Sequence, residues 1–396
     1  GLACSGGLMA RLFTCGLEEN DLTNTMWTAA GGGPTVVTTP VRSGTYALAI
    51  TAGAARYVRV GLSANVTSGT YFMRGYLRIA GAPSADNSPL MKIASSGFAA
   101  GPQLRMDINR TLELVNAITG TVITGPVLTV DTWYRVEIRH VISNTVGEVE
   151  LQVDGNSYGI ITNEDTLPTN IRNFIFGDDV TNFGANAFWD DIAINDATNS
   201  FQTSWPGDGK IALAEPGGQT AMAWEDETSG ASLFSNVNDL PGTPDDANYN
   251  KEDDTLNVID QMTLATLPTE IPSDADMILI DLYARVGSTQ TAATTARFKI
   301  WDEASVLTTG PNISCAVNGW RIGSVGPTNE HQVFDLGTRT KANVQDFDIG
   351  YENLTDLATL ARRVSALWAN VEWIEAAPGG GATWPGWIWN KGGWTA

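Results

Sequence analysis

The chain carries 44 Asp and Glu but only two His and three Cys, so carboxylates dominate the chemistry open to it. Cleaving a glycosidic bond with retention takes two carboxyl groups roughly 5 Å apart, one protonated and one ionised. Residues two apart on a strand share a face and approach that spacing. Glu148 and Glu150 meet it, yet they alternate with Val149 and Leu151 as the wet face of a hairpin. Glu225-Asp226-Glu227 lies in a Pro/Gly-rich stretch without alternation. His140 and His331 are far apart, and His140 continues a strand, so it reads as a packed side chain rather than an acid or base. No glycine-rich loop follows a strand and opens a helix, so nucleotide chemistry has no scaffold. The expectation is a protein without catalytic residues.

Two binding chemistries remain. The doublets Asp178-Asp179, Asp190-Asp191 and Asp245-Asp246 supply oxygen ligands of the kind Ca²⁺ takes from loops. In so acidic a chain such doublets also arise by chance, so solvated loops are the reading, no cofactor is expected, and Asp178, Asp179, Asp190 and Asp191 stand as the weak calcium candidates. Aromatic rings stack on sugars, and Trp27, Tyr71, Phe72, Tyr158 and Phe183 are the candidates, although core filling accounts for most rings in a β protein.

Charge bounds the partners. Lys and Arg number 23, which leaves a formal charge of −21 and repels phosphate backbones and anionic lipid. No run approaches the ~18–20 apolar residues of a membrane-spanning helix. Only six of the basic residues are Lys; the seventeen Arg include several inside apparent strands (Arg56, Arg59, Arg74, Arg78, Arg135, Arg139), where they suit ion pairs between strands or subunits. Cys4, Cys15 and Cys315 are too scattered for a disulfide framework or a zinc site, so reduced thiols are expected. Gly1-Leu2-Ala3-Cys4 follows no charged and apolar leader and reads as chance.

The elements that must position these residues are strands. Trp133–Arg139 and Glu148–Val153 alternate apolar and polar residues, with a turn at Ser143-Asn144 between them and the turn signal Asp154-Gly155 after. Thr45–Ile50, Thr70–Ile79 and Phe188–Ile194 read likewise. Residues 203–257 are rich in Pro, Gly and acidic residues. Strand character then returns at Met277–Val286, Ala296–Trp301 and Ala366–Ile374, with Thr355–Val364 the best short helix. The expected organisation is all-β: a sandwich over 1–200, a second β domain over 201–377, and a tail over 378–396. That tail holds four of thirteen Trp (Trp384, Trp387, Trp389, Trp394) and is expected to dock on a partner subunit.

Ser43–Leu48, Trp133–Glu137, Val149–Gly155 and Trp189–Ile192, in that order, resemble the landmarks of a concanavalin A-like (laminin-G-type) jelly roll. The acidic motif Glu-apolar-Asp-x-x-Glu of many jelly-roll glycosidases is absent. The whole chain resembles a class of tailed-phage virion proteins, through Ala10–Glu18, Trp189–Ile192, Ser204–Gly209, Asp245–Tyr249 and Asn370–Trp373. That resemblance implies a non-enzymatic structural subunit of a bacteriophage particle, on tail or head as a fibre or decoration protein. It would be assembled in the host cytoplasm, pair with other virion proteins and itself as a homo-oligomer, and expose the jelly roll to host-surface glycan. The alternatives are a glycan-cleaving depolymerase and a secreted carbohydrate-binding lectin.

Overall fold

The structure is a computed structural model. It describes residues 11–376 apart from 23–26, 28, 179–181, 185, 199–200, 228–232, 253–254, 289–293, 303–304, 316–318, 323–330 and 355–361. The Trp-rich segment with Trp384, Trp387, Trp389 and Trp394 lies outside the described residues, as do Cys4 and Asp179. Among the described residues the architecture is all-β, built from four large antiparallel sheets and one small one.

The first sandwich uses two of them. Sheet I runs in the order Asn156–Glu164, Gly147–Val153, Trp133–Ile142, Gly69–Ile79, Ala187–Asp196, Ala47–Ile50, Thr35–Val37, with Arg11–Cys15 added against Ala187–Asp196. Sheet II runs Val122–Val127, Thr111–Asn116, Ala100–Met106, Ser88–Ala94, Ile171–Gly177, Tyr57–Val66, Ala29–Gly31. The alternating hairpin pairs as its pattern dictates, with Val136 opposite Val153 and Arg139 opposite Glu150. Asp154 and Gly155 close the next turn with φ of 50° and 79°, the left-handed conformation that two-residue hairpins favour.

Apolar residues from the facing sides interdigitate: Met73, Leu77, Val136, Ile138 and Trp189 from sheet I meet Met91, Ile93, Leu104, Phe174 and Phe176 from sheet II. Trp189 meets Phe176 edge-on at 5.1 Å between ring centroids. Gly75 makes room for that pair, since a Cβ there would lie 2.8 Å from Trp189 and 2.9 Å from Phe176. His140 sits in this core, its Nε2 2.9 Å from the Thr166 carbonyl, and burial lowers its pKa to about 4, so the ring is neutral at pH 7.

The second unit also has two sheets. Sheet III centres on Arg362–Ile374 and Asp276–Ser288, flanked by Glu225–Asp226, Asn250–Glu252, Lys210–Ala214, Gly319–Ile322 and His331–Thr340. Sheet IV runs Pro216–Met222, Ile259–Leu264, Phe347–Asn353, Thr294–Asp302, Ser305–Cys315. Residues 362–364, expected to end a helix, open the long strand Arg362–Ile374, and the one α-helix among the described residues is the five-residue Lys341–Gln345. Val364 packs in the core between sheets III and IV, a burial that β-branched side chains favour in a strand.

The central strand of sheet III, Arg362–Ile374, is buried on both faces. From Arg362–Ile374, Leu367, Ala369, Val371 and Trp373 face sheet IV, while Ala366 and Trp368 join the core of the first sandwich. Double burial explains why this strand reads as a nearly continuous apolar run rather than an alternation. The polar residues on its first-sandwich side, Asn370 and Glu372, are both fully buried. Glu372 lies 2.5 Å from Arg11 and 2.5 Å from Arg74, two guanidiniums on the outer face of sheet I. Asn370 donates to the Thr14 carbonyl at 2.9 Å and to Glu19 at 2.9 Å. Arginines within strands thus pair both along sheet I (Arg78 with Asp131, Arg135 with Glu137, Arg139 with Glu148 and Glu150) and across the two units.

Candidate ligand-binding cleft

Where the two units meet, the chain leaves a cavity of about 440 Å³ lined from five separate segments. Glu18, Glu19 and Asn20 come from the turn after the first strand, in which Leu17 and Asn20 have positive φ. Gly44, Thr45 and Tyr46 precede Ala47–Ile50, while Leu213 lies near the end of Lys210–Ala214 and Glu215 follows it. Leu240, Gly242 and Thr243 form one lip and Pro268, Thr269 and Glu270 the other. The volume falls in the usual range for small-ligand sites.

Two carboxylates shape the loop that floors it. Glu18 accepts the Thr45 amide at 2.9 Å and the Tyr46 amide at 3.1 Å, and Glu270 accepts the Gly44 amide at 2.5 Å. Gly44 has φ of 63°, and a Cβ there would fall on the Glu18 carboxylate, so only glycine fits this clamp. Burial pushes the Glu18 carboxyl up to about 8, against the pull of the Thr45 and Tyr46 amides, and neighbouring Glu270 and Glu19 add to the rise. Burial likewise raises Glu19, Glu215 and Glu270.

The lining contains no Lys, Arg or His. Nearby Lys341 donates to the carbonyls of Pro268 and Ile271, and Lys210 pairs with Glu375. The cleft therefore repels anions. It offers carboxyl groups that can accept or, when protonated, donate hydrogen bonds, together with Asn20, Thr243 and Thr269. Tyr46, Leu213, Leu240 and Pro268 provide apolar surface between them. Leu240, at 54% exposure, is one of the most open large apolar side chains described.

The residues singled out from sequence go elsewhere. Trp27 is buried against Phe13 at 4.9 Å, Tyr71 is buried against Phe174 at 5.5 Å, and Phe72 is covered by Trp205 at 5.4 Å. None of these three rings presents a face to a sugar, because all three fill packed layers. Tyr158 is 41% exposed on the edge strand Asn156–Glu164, away from any concavity described. Phe183 lies in a short strand, and its side chain is outside what the structure describes.

Of the weak calcium candidates, Asp178, Asp190 and Asp191 are engaged by protein donors. Asp190 accepts the amides of Arg42 at 2.8 Å and Asp191 at 2.8 Å. Asp191 accepts the Ser43 hydroxyl at 2.8 Å, the Ile211 amide at 2.6 Å and the Arg42 guanidinium at 2.5 Å. Asp178 is buried 3.6 Å from the Lys92 ammonium. These aspartates fasten the 42–43 loop, the second unit and sheet II, which leaves little lone-pair capacity for a cation. Glu148 and Glu150 share Arg139 on the wet face of the hairpin.

No family model matches the chain, and no curated protein matches it. Among solved structures it is similar to the cellulose-induced protein Cip1, at 15% identity over 50% of this chain and 99% of that one, with a TM-score of 0.38. The CBM22-1-CBM22-2 tandem of Paenibacillus barcinonensis Xyn10C aligns over 94% of this chain and 100% of its own at 12% identity and a TM-score of 0.28. A Trypanosoma rangeli sialidase aligns at 15% identity and a TM-score of 0.29, over 43% of this chain and 30% of that one. Similarities of this size say nothing about what this chain binds.

Proposed function

We propose that the chain is a non-enzymatic binding protein for neutral glycans, with the cleft between its two units as the ligand site. The observation that carries this reading is the lining: carboxyl, amide and hydroxyl groups interleaved with Tyr46, Leu213, Leu240 and Pro268, and no cation. Sugar hydroxyls both donate and accept, while sugar ring faces are apolar, so a neutral saccharide matches both halves of that lining. An acidic sugar would need an Arg or Lys that the lining does not supply. What supports a binding rather than a catalytic reading is the clamp, in which Glu18 spends both oxygens on the Thr45 and Tyr46 amides and Glu270 holds Gly44. A carboxyl tied into the backbone in this way is poorly placed to shuttle a proton to a scissile bond.

The resemblance to tailed-phage virion proteins extends the reading to a particle-borne subunit that holds host-surface glycan, and this extension rests on sequence alone. A glycan array spanning neutral and acidic oligosaccharides tests the ligand class. Retention of neutral structures, weakened about tenfold or more by Tyr46→Ala, supports the reading. Retention of acidic structures alone, or of none, refutes it, and shortened products after incubation would show a depolymerase instead.

A further inference from the structure

We propose that two copies of this chain join edge to edge through the strand Asn156–Glu164. This strand ends the order of sheet I and pairs only with Gly147–Val153, so its outer row of backbone amides and carbonyls has no partner strand. Natural edge strands are usually kept short, or blunted by Lys, Pro, inward charge or a bulge. The opposite end of sheet I follows that rule with the three-residue strand Thr35–Val37. Asn156–Glu164 runs nine residues and contains neither Lys nor Pro, and is interrupted only by register irregularities at Tyr158 and Asn163. Between those irregularities Gly159–Thr162 keep regular register, which at ~3.3 Å per residue is a straight ladder of roughly 13 Å.

The side chains around this edge are unusually apolar for a surface. Tyr158 is 41% exposed and Ile160 47% on the strand itself. The adjoining edge of sheet II, Val122–Val127, shows Val122 at 40% and Val127 at 57%, and the neighbouring turns show Ile118 at 37% and Val146 at 62%. Six of the ten exposed large apolar residues described thus gather along one side of the first sandwich.

Charge selects the occupant. The chain has a net charge of −21, so two copies repel one another over most of their surfaces. Along this side Val122–Val127 has no charged residue, and the one in Asn156–Glu164 is Glu164, which is tied to the Thr119 and Thr121 hydroxyls and the Asn116 amide. A neutral, apolar strand edge in a strongly acidic molecule is where a second copy can approach. An antiparallel pairing about a two-fold axis would set each strand against itself and continue sheet I across the dimer.

Sedimentation velocity of the full chain over a concentration series tests this, with Tyr158→Lys and Ile160→Lys together as the edge variant and Leu256→Lys as the control. Leu256 is equally exposed, at 47%, but lies in the second unit. The expected result is a species of twice 42.2 kDa for the wild type and the control, and a monomer for the edge variant with unchanged unfolding temperature. Hydrogen exchange should then show amides of 156–164 slowed at high concentration. A wild type that stays monomeric to about 100 μM, or a dimer that survives the edge variant with 156–164 exchanging freely, overturns the proposal.

Discussion

Replacing Glu372 by Gln tests the join between the two units, because it removes one negative charge and almost no volume. In the native chain Glu372 is fully buried between Arg11 and Arg74, 2.5 Å from each. The two guanidiniums hold its carboxyl below the usual range despite burial. Without that charge, two buried cations face each other uncompensated. Breaking a buried pair typically costs about 3–5 kcal/mol. Other acceptors soften the loss here: Arg11 keeps Asn195 at 2.6 Å and Gln202 at 3.1 Å, and Arg74 keeps the carbonyls of Asp191 at 3.1 Å and Gly207 at 3.1 Å. The lower end, about 3 kcal/mol, is therefore expected.

Urea unfolding at pH 7 measures it, with Glu148→Gln as a partner experiment on a half-exposed pair to Arg139, where the loss should stay below about 1 kcal/mol. The sign of the pH dependence follows. A carboxyl whose folded pKa lies below its unfolded value stabilises fully above about pH 4.5 and loses that contribution as pH falls. Wild type and variant should therefore converge in acid. A Glu372→Gln variant within 0.5 kcal/mol (roughly the noise of a surface substitution) of wild type at pH 7 would refute the account of this join.

Three further outcomes are expected. Burial raises Glu18 to about 8, above its unfolded value, so the folded state holds a proton the unfolded chain releases. Stability should fall between pH 5 and 8 by up to about 3 kcal/mol from this group, and thermal melts of Glu18→Gln should lack that component. Gly75→Ala places a methyl 2.8 Å from Trp189 and should cost about 1–3 kcal/mol in chemical unfolding, accompanied by altered Trp fluorescence. Gly44→Ala should break the Glu18 clamp, and so weaken ligand retention on a glycan array more than it lowers the melting temperature.

Where the pattern is local, the sequence shows the structure plainly. The alternation over 133–153 predicts the hairpin and its register, and the wet placement of Glu148 and Glu150 with it. The both-faces burial of Ala366–Ile374 is visible as an apolar run broken only by Asn370 and Glu372. Rings are harder to place, because strand alternation says that Tyr71 and Phe72 face opposite ways but not that Trp205 covers the second of them. The cleft is not legible at all. Its walls come from residues 18–20, 44–46, 213–215, 240–243 and 268–270, no two of which form a motif, and only packing of the second unit on sheet I brings them together. Glu372 and Arg11 are 361 residues apart.

The most direct measurement is calorimetric titration of one neutral oligosaccharide into the wild type, Tyr46→Ala, Glu215→Gln and Trp133→Ala. Tyr46 and Glu215 line the cleft, whereas Trp133 stands on the strand Trp133–Ile142 of sheet I, outside it. The account predicts binding by the wild type and Trp133→Ala and a loss of about tenfold or more in the two cleft variants. Binding that survives both cleft variants but fails in Trp133→Ala would move the site to the face of sheet I and contradict it.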